Sequence, residues 1–163
     1  MVSTIHVGIG QMAVAHSPTR LVCLGLGSCV AIAFWDHTTK IGGMAHVMLP
    51  DESCAPRRPL QSAAAKFGSS AVKALIKEMK DQGANIYTTT AKIAGGANMF
   101  KDVGLEMKDI GLKNAEAVRC SLDEHKIRII AVDVGGTNGR TVDLDTTTGK
   151  LSIRTIRGRT VVV

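Results

Sequence analysis

A cysteine and a histidine, each next to small residues, are the side chains of this sequence best suited by type and spacing to catalysis. Cys29 ends the glycine-rich part of the stretch Leu24–Val30, and His46 ends the segment Gly42–His46. Small neighbours leave room for a substrate to approach a thiol. An imidazole beside a thiol can take its proton and later give that proton to a leaving group. The pair therefore predicts nucleophilic catalysis, with Cys29 as the nucleophile and His46 as the base.

A predicted β-hairpin brings these two side chains to one face of a sheet. Apolar stretches on both sides of the polar segment Asp36–Lys40 are typical of buried strands. The turn is predicted to contain two or four residues centred on His37-Thr38. Such a turn places Cys29 directly across from His46, with Cβ atoms roughly 4.5–5.5 Å apart. A three-residue loop or a bulge would shift this register, so the pairing stays open at this point.

The bend before the cysteine supplies backbone N–H groups near the sulfur. Gly27 and Ser28, together with the amide of Cys29, are predicted to stabilise the negative charge on a carbonyl oxygen under attack. The alternative interpretation is structural, because cysteine and a histidine between apolar residues are both common in protein cores. A metal site is not predicted, since neither Cys54 nor His37 has ligand spacing with the pair.

The composition predicts one globular domain that comprises residues 1–163. Hydrophobic residues make up 45% of the chain and charged residues 21%, while aromatic residues make up only 3%. Few aromatics count against stacking on single-stranded nucleic acid, so no nucleic acid is predicted as a partner. The net charge of +6 is concentrated near the C-terminus in Lys150, Arg154, Arg157 and Arg159. A solvated basic face is the favoured interpretation, with attraction to an acidic protein as an alternative.

The sequence also predicts where the protein acts. It has no export signal and no uninterrupted apolar stretch of the roughly 18 residues that a membrane span needs. Its four cysteines form no CxxC pair, which argues against both a zinc site and a disulfide framework. A reduced cytoplasmic protein without membrane insertion is therefore expected.

The order of predicted elements indicates a mixed α+β fold with mostly antiparallel strands, rather than a regular βαβ array. A helix is predicted from about Ser62 to Gln82, and a second helix is predicted to start at a cap on Asn114 and to end near His125. Strands are predicted at Thr4–Ile9, Arg20–Trp35 with a bend near Gly27-Ser28, Ile41–Leu49, Asn85–Ile93, Lys126–Val134, Thr141–Leu144, Lys150–Ile156 and Val161–Val163.

Three segments of the chain resemble the chemoreceptor glutamine deamidase family, CheD. They are Leu24–Val30, Ala45–Pro50 and Lys92–Phe100, and both Asp133–Gly136 and Arg140 also fit the family pattern. The resemblance implies a β/β/α layered sandwich with two main helices, shared with deamidating bacterial toxins. It also implies a cytoplasmic enzyme of bacterial chemotaxis that hydrolyses glutamine side chains on receptor helices to glutamate and releases ammonia.

The resemblance assigns roles to residues of this chain. Cys29 is implied as the nucleophile and His46 as the base, and no cofactor or metal ion is expected. The chemotaxis phosphatase CheC is implied as a partner besides the receptors. The family's third catalytic residue is a threonine six positions before the nucleophile, where this chain has Cys23. A thiol is a weak hydrogen-bonding group, so either this candidate third member orients His46 poorly or a backbone carbonyl orients it. A reactive second thiol is a further alternative for Cys23.

Two other functions remain open. One is a binding module for CheC and the receptors with little activity, and the other is a thiol hydrolase of a different bond, such as a receptor methyl ester. Conversion of receptor glutamine to glutamate distinguishes the deamidase from both.

Overall fold

The computed structural model describes residues 1–54, 63–99 and 109–163, which contain ten strands and two α-helices. In chain order these are β1 (Ser3–His6), β2 (Met12–His16), β3 (Thr19–Leu26), β4 (Val30–Asp36), β5 (Ile41–Val47), α1 (Gly68–Asp81), β6 (Thr89–Gly95), α2 (Ile110–Glu124), β7 (Arg128–Val134), β8 (Arg140–Asp145), β9 (Leu151–Thr155) and β10 (Thr160–Val162). Single 3-10 turns occur at Glu52–Cys54 and Ile86–Thr88.

The strands form two five-stranded sheets. The first sheet has the order β1-β3-β8-β9-β10, and the second has the order β2-β5-β4-β6-β7. The pairs β1–β3 and β6–β7 are parallel, and the other pairs are antiparallel. The predicted α+β class with mostly antiparallel pairing is confirmed. Strand β2, at the edge of the second sheet, was not among the predicted elements.

Two apolar layers make the fold a β/β/α sandwich, as the family resemblance implies. One layer lies between the two sheets, and the other lies between the second sheet and the helices. Strand β4 shows how the sequence builds both, because successive strand residues point to opposite faces. Bulky Ile32 and Phe34 pack in the layer beside the helices, and small Ala31 and Ala33 pack between the sheets.

The chain crosses from the first sheet to the second between β3 and β4. A bulge between Cys23 and Leu26, with Gly25 at a φ of 60°, bends the end of β3. Beyond it, Val30 begins β4 in the other sheet. We call the intervening segment Gly27–Cys29 the crossover. It occupies the position of the predicted bend and carries the candidate nucleophile.

The β4–β5 hairpin differs in register from the predicted one. Its turn comprises His37–Lys40, one residue later in the chain than predicted. Strand β4 therefore pairs Ala31, rather than Cys29, with His46. The prediction that Cys29 lies directly opposite His46 was therefore wrong by two residues. A shift of two residues keeps every side chain on its predicted face of the sheet.

The buried carboxylate of Asp36 accounts for this shift. It accepts hydrogen bonds from the hydroxyl groups of Thr38, Thr39 and Thr88 and from the backbone N–H of Asn85. Burial alone would raise the pKa of Asp36, but these hydrogen bonds hold that pKa well below its usual range. Asp36 is 0% exposed and pairs as the last residue of β4, so the turn starts after it.

The helices also differ from their predicted bounds. The predicted start of the first helix at Ser62 lies outside the described residues, and α1 occupies Gly68–Asp81. Helix α2 begins at Ile110 with Asp109 at its N-cap position, so Asn114 lies inside the helix and does not cap it. Neither described helix combines the length and apolarity needed to cross a membrane.

Asp36→Asn is expected to lower the free energy of unfolding by about 2 kcal/mol at pH 7, because hydrogen bonds to a charged group contribute about 1.5–3 kcal/mol. The pKa of Asp36 is lower in the folded state than in the unfolded state. Its contribution is therefore full above a pH of about 4 and declines as the pH falls below that value. Urea denaturation at neutral and at acidic pH measures both effects.

The exposed Asp81, paired with Lys77 on α1, provides the control. Asp81→Asn is expected to change the free energy of unfolding far less than Asp36→Asn does, because both side chains of this pair are exposed. The free energies of unfolding of Asp36→Asn and of the native chain are expected to converge as the pH falls. If their difference stayed constant from neutral pH to a pH of about 3, the lowered pKa of Asp36 would be contradicted.

Candidate active site

Cys29 and His46 face the same interior layer, as the sequence predicts. Cys29 is half-buried at the end of the crossover and packs against the apolar layer between the sheets. His46 is 3% exposed and lies two residues beyond Met44, which packs in that layer. His46 pairs with Ala31, and Cys29 lies two residues before Ala31, just outside the first pair of the ladder, Val30 with Val47. In a continued strand a position two residues from the paired one is about 7–8 Å away.

A hydrogen bond to the first sheet fixes the imidazole of His46. Its Nδ1 lies 3.1 Å from the carbonyl oxygen of Val7. A carbonyl only accepts, so Nδ1 carries the proton and Nε2 keeps the lone pair that a general base needs. The Val7 N–H donates to the Val22 carbonyl at 2.8 Å, which holds the acceptor in place. The backbone of His46 is also fixed, since its N–H donates to Gln11 and its carbonyl accepts from Gly10.

Cys23, the candidate third member, is fully buried in the layer between the sheets. Burial, with a smaller contribution from neighbouring Cys29, raises the pKa of Cys23 to about 12. Its thiol therefore stays protonated at neutral pH. Among the described residues, Val7 and not Cys23 is the hydrogen-bond partner of His46. The backbone-carbonyl alternative is thus the one that the geometry provides.

The Cys29 thiol and the His46 imidazole are both neutral at rest. Burial raises the pKa of the Cys29 thiol, and the backbone N–H of the same residue offsets part of this shift. Burial lowers the pKa of His46, and its hydrogen bond to Val7 offsets part of that. Both shifts favour the uncharged forms. At neutral pH the Cys29 thiol therefore keeps its proton, and the His46 imidazole stays able to accept one.

Donors from other elements hold three consecutive carbonyl groups of the crossover. The pairs are the Gly27 carbonyl with the Ala97 N–H (2.9 Å), the Ser28 carbonyl with Nδ2 of Asn114 (2.9 Å), and the Cys29 carbonyl with the Gly96 N–H (2.8 Å). In a trans peptide the C=O and N–H groups point in opposite directions. The N–H groups of Ser28 and Cys29 therefore point away from these donors, and neither donates to another described residue. They are available for an oxyanion.

Two glycines allow the end of β6 to touch the backbone of the candidate nucleophile, Cys29. Gly95 has a φ of 110°, and a Cβ there would lie 2.3 Å from the carbonyl oxygen of Cys29. Gly96 has a φ of 61°, and a Cβ there would lie 2.7 Å from the carbonyl oxygen of Gly111 in α2. No role in the site was predicted for this pair, although glycines at a strand end are a sign of close backbone approach.

Arg140 ties the two sheets together at the same end. Its guanidinium donates to the carboxylate of Asp133 at 2.8 Å and to the carbonyls of Gly95 at 3.1 Å and Gly135 at 2.8 Å. Arg140 belongs to β8 of the first sheet, and Asp133 belongs to β7 of the second. The Arg140 residue is 7% exposed. These bonds hold Gly95, and through it the crossover, against the first sheet.

Exposed apolar side chains border the crossover. Leu24 on the bulge is 58% exposed, Met48 is 39% exposed and Met99 is 46% exposed. The Cγ of Met99 would lie 3.2 Å from a Cβ placed on Gly27. In the described part of the chain, no three side chains of histidine, cysteine, aspartate or glutamate come together as a metal site would require.

Comparisons with known proteins identify the family of this chain. The family described as CheD chemotactic sensory transduction matches residues 48–155. The chemoreceptor glutamine deamidase CheD of Thermotoga maritima is 43% identical over 152 residues, which are 93% of this chain and 92% of the relative. The probable chemoreceptor glutamine deamidase CheD of Clostridium tetani is 43% identical over 159 residues, which are 95% of this chain and 93% of the relative.

Gly95→Ala is expected to destabilise the protein by at least about 2 kcal/mol, because the new Cβ adds a clash to an unfavourable φ. It is also expected to change the rate at which iodoacetamide alkylates Cys29, since the contact it breaks is with that residue's carbonyl. Thermal unfolding and peptide mapping of the alkylated thiol measure these effects.

Gly83→Ala provides the matched control. Gly83 has a φ of 97° but nothing within 4 Å of its Cβ position, and it lies at the end of α1. This variant is expected to lose about 1 kcal/mol of stability and to keep native Cys29 reactivity. If the two variants lost the same stability and their Cys29 were alkylated at the same rate, the contact of Gly95 with the Cys29 carbonyl would not position the thiol.

Proposed function

The chain belongs to the CheD family, and we propose that it is a chemoreceptor glutamine deamidase that uses Cys29 as its nucleophile and His46 as its base. The observation that carries this mechanism is the geometry around the thiol. The base is oriented by the Val7 carbonyl with Nε2 unprotonated, and the crossover has two backbone N–H groups without a partner among the described residues. Relatives that are 43% identical over most of the chain are named for the same reaction.

The proposed reaction proceeds in two halves. The Cys29 Sγ gives its proton to Nε2 of His46, and the thiolate attacks the carboxamide carbon of a receptor glutamine. The N–H groups of Ser28 and Cys29 donate to the oxyanion that forms. His46 then protonates the departing nitrogen, and ammonia leaves a thioester behind.

The second half restores the enzyme. His46 takes a proton from a water molecule, which attacks the thioester carbon. The same N–H groups stabilise the second oxyanion. The carbon–sulfur bond breaks, the thiol regains its proton from His46, and glutamate is the product. Every proton is carried by Cys29, His46, water or the leaving group, so the proposal assigns no step to a cofactor or metal.

We propose receptor helices as the substrate and the cytoplasm as the place of the reaction. Leu24, Met48 and Met99 give the crossover an exposed apolar border, and methionine side chains adapt readily to a partner surface. The exposed basic residues near the C-terminus suit a receptor segment that carries glutamates. CheC is proposed as a second partner on the family resemblance alone. Residues 1–163 are proposed to form one domain, because β1 and β10 belong to the same sheet.

Incubation with a receptor cytoplasmic fragment is expected to convert specific glutamines to glutamate, as measured by peptide mass spectrometry. Cys29→Ala is expected to abolish this conversion, because it removes the nucleophile. Cys120→Ala is the control, since Cys120 is exposed on α2 away from the crossover. Cys23→Thr is expected to retain most of the activity, because the Val7 carbonyl already orients His46.

The outcomes separate the competing functions. Full conversion of receptor glutamine to glutamate by Cys29→Ala would contradict the mechanism. Binding of CheC without conversion by the native chain would indicate a binding module, and release of methanol from methylated receptors without deamidation would indicate an esterase. Loss of activity in a folded Cys23→Thr variant would show that the original thiol takes part.

The pH dependence of kcat/KM is expected to reflect the neutral base. Burial lowers the pKa of His46, so the imidazole stays unprotonated to a lower pH than a free one. The activity is therefore expected to fall on acidification with a midpoint below about 6.5, the ordinary value for histidine. Initial rates on a receptor fragment between a pH of about 4.5 and about 8 measure it, and a midpoint above about 7 would contradict the assignment.

A further inference from the structure

The side chain of Asn114 bridges two strand ends that carry the nucleophile and the base. It is 0% exposed, and its Nδ2 donates to the carbonyls of Ser28 and Met48, both at 2.9 Å. The β4–β5 ladder ends at the pair of Val30 with Val47. Ser28 and Met48 lie just beyond this pair on their respective strands. The amide therefore continues the connection between the strands where their own pairing stops.

The orientation of this amide follows from its surroundings. An amide NH2 group has two hydrogens, and both are used by the two carbonyls. A flipped amide would place its oxygen against the same two carbonyl oxygens, so the orientation is not ambiguous. The oxygen Oδ1 of Asn114 is buried and has no partner among the described residues. A buried acceptor without a partner destabilises the fold. Asn114 therefore contributes here through the two N–H donors of its amide and not through its oxygen.

Helix α2 holds Asn114 rigidly against the crossover. Gly111, one turn earlier on the same face, lies so close that a Cβ there would be 2.6 Å from the carbonyl oxygens of Gly96 and Ala97. Gly96 and Ala97 are the residues whose N–H groups hold Cys29 and Gly27. The helix and the end of β6 therefore hold the crossover as one packed unit.

We propose that Asn114 is a positioning residue for deamidation, an inference that rests on the proposed function. Its bond to the Ser28 carbonyl fixes the plane of the Ser28–Cys29 peptide and so aims the Cys29 N–H at the oxyanion. Its bond to the Met48 carbonyl holds the strand that presents His46, two residues earlier. One side chain thus sets both the distance between nucleophile and base and the direction of an oxyanion donor.

Asn114→Ala and Asn114→Asp test the proposal. The aspartate variant keeps nearly the same side-chain shape but faces two carbonyls with a carboxylate, so both variants are expected to lose the bridge. Misplacement of reacting groups by about 1 Å lowers rates about 100-fold, and a fall in kcat of that order is expected with KM nearly unchanged. Ser121→Ala is the matched control, because Ser121 is buried on the same helix and its hydroxyl also has no partner among the described residues.

A second measurement separates this proposal from the proposed function. The rate at which iodoacetamide alkylates Cys29 is measured from a pH of about 6 to about 10, across the ordinary pKa of a thiol, with folding checked by circular dichroism. Both Asn114 variants are expected to shift this profile relative to the native chain, and Ser121→Ala is expected to leave it unchanged. This readout does not require deamidation. If the native chain had no deamidase activity, the proposed function would be refuted, and the alkylation profiles would still show whether Asn114 positions Cys29.

Two results would overturn the role of Asn114. One is a native kcat and a native alkylation profile in folded Asn114→Ala. The other is loss of the folded state in both variants, which would make the amide a part of the scaffold and not a positioning group.

Discussion

The hydrogen bond from His46 to the Val7 carbonyl joins the two sheets, and the arrangement of the site depends on it. The small side chains of Ala31, Ala33 and Ala94 pack in the same layer between the sheets and leave room there for the imidazole. The packing of the inner layer therefore holds the His46 imidazole where the Val7 carbonyl fixes its tautomer.

The neutral state of the thiol and imidazole follows from the same packing. An ion pair in this place would lose the hydration of both charges, a cost of several kcal/mol per ion in protein interiors. The uncharged pair avoids this cost and keeps the layer compact. In the proposed reaction, charge develops at Cys29 only as a substrate brings an electrophilic carbon to the sulfur. The proposed donors to the oxygen of that substrate are the backbone N–H groups of the crossover.

The sequence predicted the shared face of Cys29 and His46 but not the contacts that hold them. The two residues stand out by residue type, and their shared face follows from strand alternation. The predicted register was wrong because the carboxylate of Asp36, bonded to side chains distant in sequence, sets where the turn starts. Asn114 was assigned to a helix cap because asparagine favours caps, whereas its partners are far away in the chain. The Val7 carbonyl carries no signal at all, since every residue has one.

The order in which the chain is synthesised determines when the bridge of Asn114 can form. Domains generally fold as units during or after synthesis, and pairings distant in sequence form late. Cys29, His46 and Val7 all lie in the first third of the chain, but Asn114 and Arg140 lie in the last third. Strand β3 also needs β8 as its neighbour in the first sheet. Under the proposed mechanism, a nascent or truncated chain carries Cys29 and His46 without the groups that align them, so competence for catalysis arrives only with the completed sandwich.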